Sequence, residues 1–108
     1  MNQQLKLESI LIALRGASHE EQEEIGRHLE RAGDGEGAAT RYRRAGDAAR
    51  ARYFNDKATR LYVAALGCLG QHDLASRIHL WHDLGSVFHL KGEFDSALGA
   101  FERMLRLS

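Results

Sequence analysis

Three histidines, His79, His82 and His89, lie in one predicted helix, residues 75–90, and they are the side chains best suited to binding chemistry. At 3.6 residues per turn, His82 and His89 project within about 20° of each other and His79 about 70° further round. An imidazole offers a donor, an acceptor and an apolar ring, and it titrates near neutrality. Such a row would bind the polar groups and acidic side chains of a peptide, more tightly at lower pH. Partly solvated surface histidines with no shared role fit the same spacing.

Metal chemistry and nucleophilic catalysis find weaker support. The histidine spacing does not converge on one ion, because helical metal sites more often use positions i and i+4 with a carboxylate. Cys68, the one cysteine, has apolar neighbours and no base within a turn, which predicts a small buried hydrophobe rather than a nucleophile. His72, Asp73 and Ser76 fall in one connecting turn that cannot orient a triad. We therefore predict that the protein is not an enzyme and takes no metal or cofactor.

The overall charge balance restricts the class of partner. The chain has 108 residues, with 15 Lys+Arg against 15 Asp+Glu. A neutral chain argues against binding to nucleic acid or an anionic membrane, since an excess of Lys and Arg leads both. One cysteine cannot build a disulfide framework, which favours a cytoplasmic location. The apolar cluster from Leu5 to Leu14 is interrupted by charges and predicts neither a signal peptide nor a membrane span. We expect one globular domain, residues 1–108.

The elements that position these residues are all predicted to be helices. The chain has no proline and no alternating run of β-branched residues, so nothing in it favours a strand. Connections of two to five residues make consecutive helices antiparallel. Ser18 and Glu21 have the spacing of a capping box, and Asn55 is a candidate cap further along. Apolar spacing predicts about six helices, at 3–15, 19–32, 36–53, 56–69, 75–90 and 94 to the end.

These helical hairpins repeat along the chain. One constant offset, that from Gly26 to Gly85, superimposes one set of residue types on another. The first set is Ile25, Gly26, Leu29, Gly33, Ala38, Tyr42 and Ala45, and the second is Leu84, Gly85, Phe88, Gly92, Ala97, Phe101 and Met104. The shorter offset from Gly26 to Gly46 gives a degenerate copy that lacks the turn glycine, and it makes helix 36–53 the second helix of one unit and the first of the next. The predicted units are about 19–45, 42–69 and 75–108.

The last unit resembles a tetratricopeptide repeat, whose pattern is W-x2-L-G-x2-Y followed by A-x3-F. Its matching residues are Trp81, Leu84, Gly85, Phe88, Ala97 and Phe101, with Phe88 at the tyrosine position. The resemblance implies a short right-handed solenoid of stacked hairpins. It also implies that these residues, with Gly26, Leu29, Ala38 and Tyr42, pack the repeats together. The segment from Gly26 to Leu69 carries Arg-Ala-Gly-Asp twice and resembles the helical repeat regions of large bacterial regulatory ATPases and kinases.

Resemblance to the family also implies a concave groove that binds a peptide or helix of a partner protein. Members of the family line this groove with one row of residues from the first helix of each repeat. The positions that match here are His79, His82, Ser86 and His89, with Arg43, Asp47, Arg50 and Arg27 on earlier helices. Residues 18–36 hold seven acids and two bases, whereas residues 41–60 hold seven bases and two acids. The basic segment either receives an acidic peptide or pairs with its acidic neighbour.

Two surfaces are candidates for self-association. Helix 3–15 is apolar on two sides, and the final helix has no capping helix after it. We therefore expect a non-catalytic protein-interaction module, with a possible homo-oligomer formed through helix 3–15 or the C-terminal helix. The alternative is an oligomerisation or signal-relay segment of a larger bacterial regulator.

Overall fold

A computed structural model describes residues 18–108 of the chain, and this part is all α-helical. Its helices are α1 (His19–Arg31), α2 (Gly35–Ala51), α3 (Asn55–Cys68), α4 (Leu74–Leu90) and α5 (Phe94–Leu107). The all-α prediction is confirmed, and each of these helices agrees with its predicted bounds to within two residues. Each helix packs on the next along the chain. The predicted helix 3–15, with its self-association surface, lies outside the described residues.

Three of the helix interfaces share one contact, in which an aromatic ring of one helix packs directly against a glycine of the preceding helix. The pairs are Gly26 with Tyr42, Gly46 with Tyr62, and Gly85 with Phe101, and the separation in sequence is the same in all three. A Cβ atom at any of these glycines would lie 2.5–2.9 Å from the nearest ring carbon, closer than real Cβ atoms approach. The absence of a side chain therefore lets these helices approach closely.

Helix α2 takes part in two of these contacts. It presents Tyr42 to α1 and Gly46 to α3. The tyrosine hydroxyls are held as well, because Tyr42 Oη donates to Glu30 Oε1 at 2.7 Å and Tyr62 Oη donates to Asp47 Oδ1 at 2.5 Å. Burial, with help from the Glu30 carboxylate, raises the pKa of Tyr42 to about 12. Both rings are thus fixed at their edges and at their hydroxyl ends.

Three of the helix connections share one turn geometry. The residue after the C-cap has a left-handed backbone: Gly33 (φ 85°), Tyr53 (φ 64°) and Gly92 (φ 76°). The amide that follows donates to a carbonyl five residues back, as in a Schellman motif, for example Phe54 N to Ala49 O at 2.9 Å. The degenerate copy therefore keeps the turn although tyrosine replaces its glycine. Tyr53 is 86% exposed, so little packing offsets the unfavourable backbone.

Local signals in the sequence had different outcomes. Ser18 Oγ accepts from Glu21 N at 3.2 Å, as the capping-box spacing predicts. The Asn55 cap was wrong, because Phe54 is the N-cap and Asn55 lies inside α3 with its Oδ1 buried without a partner among the described residues. The two Arg-Ala-Gly-Asp segments are not structurally equivalent. The segment at 31–34 forms the turn before α2, while the one at 44–47 lies within α2.

Substitution of Gly46 tests the ring contact. We expect Gly46→Ala to lower the free energy of unfolding by about 1–2 kcal/mol, because crowding Tyr62 costs more than the helix propensity that alanine gains. Gly99→Ala is the matched control, since Gly99 is helical and a Cβ there meets no atom within 4 Å. It should raise stability by up to about 1 kcal/mol. Urea denaturation followed by circular dichroism measures both, and equal effects would contradict the packing role.

A second substitution tests the left-handed turn. Tyr53→Gly should raise the free energy of unfolding by about 0.5–1 kcal/mol, because glycine removes the backbone strain at some entropic cost in the unfolded chain. Gly92→Ala should have the opposite sign, since it introduces the same strain into an equivalent turn. Thermal unfolding of the two variants beside the parent chain gives the comparison.

Candidate functional site

A cleft of about 400 Å³ lies between α2 and α4. It lies beside the junction of α3 and α4, which pack less extensively than the other consecutive helices of the described structure. We call it the α2/α4 cleft. Its lining residues are Glu36, Ala39, Thr40, Arg43, Arg44, Asp47, Leu69, Ser76 and Leu80. Apolar side chains from α2, α4 and the end of α3 thus lie beside charges of both signs.

An ion pair joins the two helices that form this cleft. Arg43 Nε donates to Asp83 Oδ2 at 2.9 Å, and the Asp83 side chain is only 9% exposed. A buried carboxylate needs such a partner. Asp83 is not among the site residues predicted from the sequence, although a helical projection places this one acid among Leu80, Leu84 and Val87. That position was the signal that a cation from another helix would be required.

The predicted groove residues of α2 are already engaged within the protein. Arg43 and Asp47 line the cleft, but Arg43 holds Asp83 and Asp47 accepts the Tyr62 hydroxyl. Arg50 lies outside the lining, with Nη2 3.9 Å from Asp47 Oδ1 and its guanidinium 5.9 Å from the centre of the Tyr62 ring. Arg43 and Arg50, two bases of the predicted basic segment 41–60, therefore already pair with acids of the same protein.

The histidine row lies on a different face of α4 from the cleft. All three histidines are exposed, and Ser86 is half-buried. The His82 ring centre is 6.1 Å from that of Phe101, and the His89 ring is edge-on to Phe94 at 5.4 Å. His82 and His89 therefore border α5, and the described lining of the α2/α4 cleft includes neither.

Arg27, the remaining predicted groove residue, belongs to a charge cluster around Glu23. The Glu23 side chain is 11% exposed, and Arg60 Nη1 donates to its Oε2 at 2.9 Å. Arg27 Nη1 lies 3.5 Å from Glu23 Oε2, and Lys57 Nζ lies 3.9 Å from Glu23 Oε1. The hydrogen bond from Arg60 lowers the pKa of Glu23 against the opposing effect of burial. This cluster joins Glu23 of the acidic segment 18–36 to Lys57 and Arg60 of the basic segment 41–60. Attraction between the oppositely charged segments therefore contributes to the fold.

The residues considered for catalysis lie apart from any organised centre in the described structure. Cys68 is half-buried against the core, and burial raises the pKa of its thiol, as does the nearby Glu30. His72, Asp73 and Ser76 are all exposed. Within residues 18–108, no group of three His, Cys, Asp or Glu side chains is placed to hold a metal ion. No helix of the same range has the length and apolarity that crossing a membrane requires.

No protein-family model matches the chain, and no curated protein matches it.

The Glu23 cluster predicts a specific pH dependence. Glu23→Gln should lower the free energy of unfolding by about 2 kcal/mol near pH 7, since a charged hydrogen bond is lost. Because the folded pKa is depressed, this difference should be full above the unfolded pKa of about 4.3 and shrink as pH falls through the folded value. Glu24→Gln is the matched control, because Glu24 is a neighbour on α1 with a 66% exposed side chain. A difference that persists undiminished to pH 2 would contradict the assignment.

Proposed function

We propose that the chain is a non-catalytic, tetratricopeptide-like interaction module that holds a segment of a partner protein in the α2/α4 cleft. The observation that carries the proposal is the lining of this cleft, in which apolar residues are flanked by acids and bases. Its volume of about 400 Å³ falls within the range of about 300–1,000 Å³ that is typical of ligand pockets. The expected occupant is an extended or helical segment of another protein.

The lining indicates how such a segment would be recognised. Among the apolar lining residues, Leu69 is half-buried whereas Ala39 and Leu80 are 4% and 1% exposed, so Leu69 offers most of the apolar surface to a partner side chain. Arg43 and Asp47 hold internal partners, so Glu36 and Arg44, both exposed, are the charged groups best placed to select the partner. A segment with an apolar centre and flanking charges of both signs is therefore complementary to the site.

Site-specific photo-crosslinking tests this function. A photoreactive amino acid at Ser76, an exposed residue of the cleft lining, should capture one partner segment, whereas the same group at Asp95, exposed on α5, should not. Thr40→Phe places a ring in the cleft and should reduce capture about tenfold or more, equivalent to about 1.4 kcal/mol of binding. Thr40→Val, which changes the volume little, should retain it. Equal capture from both positions would contradict the proposal.

A second candidate function, self-association, is favoured by one observation on α5. Three large apolar side chains, Phe94, Leu98 and Leu105, are 59–67% exposed along one edge of this helix. Their spacing of four and then seven positions places them in a single row. His82 and His89 border the row through the rings of α5. Such a surface suits a second copy, as expected for an oligomerisation segment of a larger regulator.

Light scattering across protein concentration tests this second function. We expect a concentration-dependent dimer that Leu98→Glu abolishes, because a charge would be buried in the contact. Leu90→Glu is the matched control, since Leu90 is a 62% exposed leucine of α4 outside the row. A monomer at all concentrations, or equal loss in both variants, would contradict self-association through α5.

A further inference from the structure

A second, smaller cleft of about 210 Å³ lies between α4 and α5 and has a different chemistry. We call it the Trp81 cleft. Its lining residues are Arg77, Trp81, Arg103, Arg106 and Leu107. Three guanidinium groups thus surround one indole and one leucine, and no carboxylate belongs to the described lining. The α2/α4 cleft, in contrast, is lined by charges of both signs.

The three arginines retain most of their capacity to donate hydrogen bonds. Arg103 stacks on the indole, with its guanidinium carbon 5.1 Å from the ring centre. Arg77 Nη1 donates to the Leu69 carbonyl at 3.5 Å, and Arg106 Nη2 lies 3.9 Å from the Glu102 carboxylate. Each guanidinium has five N–H donors, so these long contacts use few of them. The fork of donors matches the two oxygens of a carboxylate.

We propose that the Trp81 cleft binds an acidic peptide segment that carries an apolar residue. Carboxylates of the segment pair with Arg77, Arg103 and Arg106, and the apolar side chain packs on Trp81 and Leu107. The flat indole beneath Arg103 gives the cation a fixed position, which reduces the entropy lost on binding. A cleft of this volume accepts about one side chain, so the acids must flank a single apolar residue.

A peptide fits this cleft better than a nucleic acid. Polyanion binding depends on neutralising several phosphates along an extended track of bases. Here the chain has no net charge, and the cationic lining is confined to three side chains around one small cleft. This proposal does not depend on the function assigned to the α2/α4 cleft, because the two linings have no residue in common.

Trp81 is the only tryptophan of the chain, so its fluorescence reports directly on the proposed site. The probe is an acetylated and amidated pentapeptide with two glutamates on each side of one leucine. We expect it to change the Trp81 emission in a saturable manner and to lose affinity as salt is raised. The same peptide with glutamines in place of glutamates should bind at least about tenfold more weakly, because charge-assisted hydrogen bonds are lost.

Variants locate the binding within the molecule, with calorimetry as a readout that does not depend on the indole. Arg103→Gln should weaken the acidic peptide about tenfold or more. Arg52→Gln is the matched control, because Arg52 also lies over an aromatic ring, that of Phe54 at 5.4 Å, but outside the cleft. Circular dichroism confirms that both variants stay folded. Thr40→Phe, which fills the other cleft, should leave this affinity unchanged.

The proposal would be overturned by no binding of the acidic peptide, by equal binding of the glutamine peptide, by equal loss in Arg103→Gln and Arg52→Gln, or by tighter binding of single-stranded RNA than of the peptide. Loss of the acidic peptide in Thr40→Phe would place it in the α2/α4 cleft and would also contradict the assignment. Failure of the Ser76 crosslinking experiment alone does not affect the proposal for the Trp81 cleft, so the two proposals fail separately.

Discussion

The contact between a helical glycine and an aromatic ring of the following helix is the constraint on which the rest of the structure depends. It brings α1 to α2, α2 to α3 and α4 to α5 to a separation that no side chain at the glycine would permit. The seams beside these contacts are accordingly filled by small residues, such as Ala38, Ala45 and Ala58, all fully buried. The contact is missing between α3 and α4, where packing is least extensive. The α2/α4 cleft, where we propose that a partner binds, lies beside that junction, the one interface between consecutive described helices that lacks the contact.

Ion pairs connect helices that are not consecutive in the chain, which the ring contacts do not. The ring contacts join helices that are consecutive, whereas Glu23 with Arg60 joins α1 to α3 and Arg43 with Asp83 joins α2 to α4. In both pairs the carboxylate is nearly buried and the guanidinium is partly exposed. Such a pair adds little net stability compared with an apolar contact, but removing one partner leaves a buried charge. These pairs therefore fix which helices face each other. One of them also occupies Arg43, which the sequence alone assigns to a groove.

The helices and their glycine and aromatic positions were predictable because each depends on residues close in sequence or on a repeated residue type. Apolar spacing determines which face of a helix is buried. The two repeat offsets superimpose Gly26, Gly46 and Gly85 on one another, and likewise the aromatic residues that contact them. Pairings between distant helices were not predictable, since a helical projection gives the faces of one helix but not which other helix meets them. The ion pair of Asp83 with Arg43 and the separation of the histidine row from the α2/α4 cleft both depend on such pairings. The two Arg-Ala-Gly-Asp segments did not predict equivalent structures, because a match of four residues does not determine whether a segment forms a turn or part of a helix.

Helix α4 carries both clefts on neighbouring faces, because Leu80 lines one and the next residue, Trp81, lines the other, about 100° round the helix. The end of α3 connects the two. Leu69 lines the α2/α4 cleft, and its carbonyl accepts the Arg77 donor that belongs to the Trp81 cleft. This contact uses one of the five N–H donors of Arg77, so a carboxylate can pair with the remaining donors while the contact is kept. The two clefts therefore adjoin the same backbone group at the least extensively packed junction of the described helices, but they are lined by separate side chains.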